Sequence, residues 1–91
     1  MPWEQLTQDR FNRMVAKIPV FHRRITQELV IPRAEELARK RSSSRVEEQD
    51  VIGAFFFDVP SPFYSMMIRL MEQSGFDYKK HGYPKSTESA R

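Results

Sequence analysis

The sequence predicts an all-α fold: a small bundle of about four helices in which the second is long and kinked at a proline. Two observations predict it. Apolar residues recur at helical spacing in four successive stretches, and proline or a run of serines stands at the joints between them.

The first stretch places Phe11, Met14, Val15 and Ile18 at the i, i+3, i+4, i+7 positions of one stripe. Thr7 is its expected N-cap, Asp9 suits the positive end of the helix dipole, and Pro19 closes it, so a helix over 7–17 is predicted. Trp3 and Leu6 are expected to staple its entry. From 19 to 41 a longer helix follows, with Phe21, Ile25, Leu29, Ala34, Leu37 and Ala38 expected on one buried side. Pro32 lies inside it, where it removes a hydrogen bond and crowds the preceding turn at a cost of about 3 kcal/mol, so a kink or break is predicted near Val30. Ser42, Ser43 and Ser44 then interrupt the helix.

Val46 opens a third segment whose acids Glu47, Glu48 and Asp50 suit a helix start, with Val51, Ile52, Ala54, Phe55 and Phe56 as its buried side. The turn Asp58-Val59-Pro60-Ser61-Pro62 cannot continue a helix, and Ser61 followed by Pro62 reads as N-cap and first position of a fourth. Phe63, Met66, Met67, Leu70 and Met71 form its stripe, and Gly75 is a left-handed stop. One domain is therefore expected over 1–75, with a tail over 76–91 whose order fades after about Pro84.

A chain of 91 residues buries roughly 60–65% of its unfolded surface, a slim margin that a partner or a self-dimer would widen. It has no cysteine, which excludes disulfides, thiolate metal sites and thiol nucleophiles. The start MPWEQLTQDRF lacks the basic and apolar regions of a leader, and no run reaches the ~18 apolar residues of a membrane span. A soluble cytoplasmic domain is expected.

Net charge is +3, with Arg39, Lys40, Arg41 and Arg45 close together. Such a cluster suits phosphates or a partner's carboxylates, or it simply complements the negative end of a helix. His22 and His81 are far apart and lack the i, i+4 pairing of a helical metal site. His22 with Glu28 is the best acid–base pair on offer, yet nothing organises a nucleophile or an oxyanion site around it. Phe55, Phe56 and Phe57 cannot all face one side of a helix, so at least one reaches beyond the core. With Met67 they form a candidate surface for a partner or a flat ligand.

Leu6-Thr7, Ile18-Pro19-Val20-Phe21-His22-Arg23, Glu36 with Ala38, Val46 and Val51 together resemble the small domain at the C-terminus of the light-independent protochlorophyllide reductase B subunit, a family that includes stand-alone members. The likeness spans about 6–56. It departs from the family at Leu6, where tryptophan is usual, at Arg41-Ser42, where glycine is usual, and in a second helix about one turn longer. The resemblance implies an accessory module of chlorophyll biosynthesis, placed near a tetrapyrrole or a partner subunit, with Phe21 and Arg23 at the motif positions. None of the parent's cluster or catalytic residues has a counterpart here.

Arg45-Val46-Glu47-Glu48-Gln49-Asp50-Val51 is similar to the loop and third-helix start of archaeal histones, which suggests a histone-fold-like core. That likeness implies a dimer holding DNA phosphates without base readout through Arg23, Arg24, Arg41 and Arg45. The leading expectation is a non-catalytic accessory or protein-interaction domain, docked on a protein partner or on itself. Phe21, Arg23, Phe55, Phe57 and Met67 form its partner or ligand surface, and Arg39, Lys40, Arg41 and Arg45 its phosphate patch. No cofactor or metal is expected from the residues; a tetrapyrrole enters only through the resemblance. DNA binding is the alternative.

Overall fold

Pro19 separates two helices in the structure, a computed structural model that describes residues 1–84. Helix α1 is Gln5–Ala16, α2 is Val20–Lys40, α3 is Glu48–Asp58 and α4 is Tyr64–Ser74; short 3-10 turns lie at Ser61–Phe63 and Lys79–His81. Among the described residues there is no strand, only an isolated parallel bridge between Trp3 and Val46. The fold is an all-α bundle.

Helix α1 buries Phe11, Met14 and Val15 as its stripe requires, and Ile18 follows at the corner. It begins two residues earlier than expected. Thr7 is therefore buried inside the first turns, and its hydroxyl donates to the Glu4 carboxylate at 2.6 Å. Trp3 rests on Phe11 with ring centroids 5.2 Å apart, whereas Leu6 is exposed and staples nothing. The bridge ties this entry to the α2–α3 loop: Glu4 N–H donates to the Val46 carbonyl at 2.8 Å and Val46 N–H to the Pro2 carbonyl at 2.9 Å.

Helix α2 continues through Pro32 without the expected break. Pro32 and Glu28 are both exposed, so water can serve the carbonyl that the missing N–H abandons. The buried row is Val30, Ala34 and Ala38, with Leu37 half-buried beside it. Phe21, Ile25 and Leu29 are exposed, which corrects the expectation that they share the buried side. The reason is angular. Ile25 and Ala34 are nine positions apart, two and a half turns at about 3.6 residues per turn, and so stand on opposite sides of the helix.

Helix α3 runs antiparallel to the second half of α2. Arg33 meets Asp58 at 3.3 Å, Gly53 faces Leu37, and Arg41 meets Asp50 at 2.7 Å. A methyl group on Gly53 would come to 3.0 Å from the Tyr83 hydroxyl and 3.1 Å from Leu37 Cδ1, so glycine there leaves room for both side chains over the α3 backbone. Val51, Ile52, Ala54, Phe55 and Phe56 are buried as expected, and only Phe57 of the three phenylalanines is exposed.

The turn after α3 breaks as expected, although its first residues wind as a 3-10 turn before α4 begins at Tyr64. Met67 and Met71 enter the core; Phe63 and Met66 do not. Gly75 ends α4 in the left-handed region at φ 94°. The helical core continues past position 75, since Phe76 and Tyr78 are buried and Tyr83 stacks on Phe56 at 5.1 Å. The expectation that order fades after Pro84 falls on 85–91, outside the described residues.

Ser42 terminates α2 at φ 63°, a left-handed conformation without glycine. Ser43 N–H then reaches back to the Ala38 carbonyl at 2.9 Å, as in a Schellman ending. Left-handed backbone costs a residue with a Cβ about 1–2 kcal/mol. Ser42→Gly should therefore stabilise the fold by about 1 kcal/mol, raising the melting temperature by about 4–8 °C in a domain of this size. An unchanged or lower melting temperature in calorimetry would contradict that reading of the turn.

Candidate docking face

The first half of α2 carries apolar side chains where no other helix among the described residues covers them. Val20 and Phe21 are 72% and 77% exposed, Ile25 and Leu29 57% and 49%. Phe21, Ile25 and Leu29 repeat every four residues and make one row along the outward side. Phe57 continues it: the guanidinium of Arg33, the next position of the same row, lies 3.9 Å above its ring.

The row is held in place from behind. Arg23 Nε donates to the Ile18 carbonyl at 2.8 Å and its Nη2 to the Ala16 carbonyl at 2.9 Å. Ala16 is the last residue of α1, whose carbonyl has no helical donor, and Ile18 lies in the corner just beyond it; a cation suits that negative end. Arg23 thus locks the α1–α2 corner, while Val30 is buried at the far end of the row. Beside the row, Arg24 and Glu28 pair at 3.0 Å with side chains 88% and 62% exposed.

The other surface residues named from sequence are dispersed. Phe55 and Met67 lie in the core at 2% and 4% exposure and contribute no surface. Their neighbours Phe57 and Met66 are the exposed members of those stretches.

The basic cluster is ordered by acids. Arg41 Nε and Nη2 grip both oxygens of the buried Asp50 at 2.8 and 2.7 Å, and Nη2 also reaches Glu47 at 3.1 Å. Hydrogen bonding to Asp50 raises the Arg41 pKa further above its ordinary value, against the cost of burial. Glu47 and Asp50 together form the capping box of α3, and Asp50 accepts from the Glu47 N–H at 2.8 Å. Arg45 pairs with Glu47 at 2.8 Å and Lys40 with Glu36 at 3.6 Å; among the described residues Arg39 alone of the four makes no ion pair. A shallow cleft beside this cluster is lined by Leu37, Arg41, Gln49, Asp50, Lys80, His81 and Tyr83. His81 Nε2 approaches Glu48 to 3.8 Å there. His22 is exposed with its ring against Phe21, far in sequence from that cleft.

Ile25, Leu29 and Val20 were not expected on a surface. The signal was present: an apolar row at 21, 25 and 29 and a second at 30, 34 and 38 cannot face the same way. No helix among the described residues is long and apolar enough to cross a membrane. No family model matches this chain, and neither a curated protein nor a solved structure matches it.

Two outcomes test the charge cluster. Arg41→Ala leaves the Asp50 carboxylate buried without its partner and should cost about 3 kcal/mol in urea unfolding; a loss below ~1 kcal/mol would mean that the pair holds nothing together. The hydrogen bond from Arg45, followed by that from Arg41, keeps the Glu47 carboxyl below its ordinary value of 4.5. Its contribution is therefore complete above that pH and fades as pH falls through the lowered folded value. Glu47→Gln should be the less stable protein at pH 7 by under ~1 kcal/mol, with the gap narrowing as pH falls below the ordinary value of 4.5. A gap independent of pH would assign the effect to something other than charge.

Proposed function

We propose that this chain is a non-catalytic docking module that works through the outward face of α2. The observation that carries the reading is the exposed row of Phe21, Ile25 and Leu29 on a helix braced by Arg23. Isolated apolar residues on a surface are ordinary, but an aligned set of large ones on an ordered helix is the form in which helices meet protein surfaces. An ordered row also loses little side-chain and backbone freedom on association.

The tetrapyrrole-linked version gives Phe55 and Met67 a ligand to meet, and their burial favours the docking version. The histone-like version gives Arg41 and Arg45 phosphates to meet, and both are already paired with carboxylates.

A photo-crosslinking residue placed at position 21 in cells should form protein adducts, whereas the same residue at Asn12, exposed on α1, should form few. Phe21→Ala should weaken the captured association by about 1–2 kcal/mol while changing folding stability by no more than ~0.5 kcal/mol. Absence of adducts at position 21, or equal labelling from both positions, would refute the docking reading.

A further inference from the structure

We propose that the cleft between the end of α2, the start of α3 and the 3-10 turn at Lys79–His81 binds a small monocarboxylate that carries an apolar body. The site lies on the second half of α2 and does not depend on what meets the outward row of the first half.

The cleft spans about 460 Å³, within the roughly 300–1,000 Å³ of small-molecule sites. Leu37 and Tyr83 form its apolar wall, and both are fixed in place. Tyr83 stacks on Phe56 at 5.1 Å, and the two wall residues rest over Gly53, whose missing side chain lets them sit back against α3. An aromatic or aliphatic body laid on this wall would leave water without displacing any packed side chain.

The charged group left unused in the cleft is a cation. Asp50 is the one acid among the lining residues, and its two oxygens are taken by Arg41 Nε and Nη2, with the Glu47 N–H on the second. Glu48, the nearest other acid to His81, accepts from Arg10 and from the Asp77 N–H and faces the buried Nε2 of His81 at 3.8 Å. Among the described residues, by contrast, the Lys80 ammonium, the Gln49 carboxamide and Nη1 of Arg41 make no hydrogen bond. An ammonium with neighbouring N–H donors is the arrangement that a carboxylate accepts from.

Charge selects among anions. Arg41 and Lys80 against Asp50 leave the charged residues of the cleft with a single positive charge, which one carboxylate cancels. A phosphate monoester carries about −1.5 to −2 and would place surplus negative charge beside Asp50. The cleft is shallow, so a small ligand keeps part of its surface in water and binding should be on the order of millimolar.

The test is a titration of the full chain with benzoate, followed by the amide resonances in two-dimensional NMR, which also show that each variant is folded. Saturable shifts should centre on Gln49, Lys80 and Tyr83. Benzyl alcohol, which has the ring without the charge, should leave them unmoved, and phenyl phosphate should bind no more tightly than benzoate. Lys80→Ala should weaken benzoate about tenfold through loss of its charge-assisted hydrogen bond. Lys79→Ala removes the same net charge from a side chain that lies by the Tyr78 ring and outside the cleft, and should stay within about twofold of the wild type. Shifts that do not saturate or centre elsewhere, equal weakening by the two lysine variants, or tighter binding of phenyl phosphate would overturn the proposal. Because the titration probes no residue of the outward row, its failure leaves the docking reading standing, and an absence of adducts at position 21 leaves this site standing.

Discussion

The antiparallel pairing of α2 with α3 decides which side of α2 is used by the fold. It is fixed at three levels: Arg33 with Asp58, Leu37 over the bare backbone of Gly53, and Arg41 with the buried Asp50. These contacts turn Val30, Ala34 and Ala38 inward. Helical geometry then leaves the row through Ile25 on the opposite side. Helix α3 has 11 residues against 21 in α2, so it reaches only the second half of its longer neighbour. The first half is supported from behind by Ile18 and the Arg23 brace, and no other helix among the described residues covers its front.

The same pairing explains why the basic cluster behaves as part of the architecture. Asp50 is buried at the third position of α3, where it caps the helix and accepts both nitrogens of Arg41. A buried carboxylate without such a partner would cost several kcal/mol. Glu47, in the same capping box, draws in Arg45. Arg41 at the end of α2 thereby holds that helix end against the start of α3, and Arg45 in the loop pairs with the same capping box.

Much of the fold was legible because the physical signals were local. The Phe11 to Ile18 spacing, Pro19 at the corner, the acids opening α3, the double proline after Asp58 and the left-handed Gly75 each act within a few residues of themselves. What was not legible depended on the surroundings. Pro32 is tolerated because its part of α2 faces water. Whether Phe21 or Val30 is the buried residue of α2 depends on where α3 lies, which periodicity alone does not state. Residues 76–84 read as a polar tail, yet Phe76, Tyr78 and Tyr83 anchor them to Phe56 and the core. Of the candidate surface, Phe21 and Phe57 are exposed and Arg23 acts from behind the row, while Phe55 and Met67 were drawn inward by a helix packed on its other side.

The central claim is that residues 20–29 form an ordered helix whose outward face, uncovered by any other helix of the described residues, is covered on docking. Amide hydrogen exchange with and without the partner captured at position 21 tests it most directly, because exchange reports local opening segment by segment. Protection of the amides around Ile25 and Leu29 should rise when the partner is bound, while that of Ala34 and Ala38, buried in the bundle, should not change. Fast exchange around Ile25 in the bound state, or protection there that the partner does not alter, would contradict the claim.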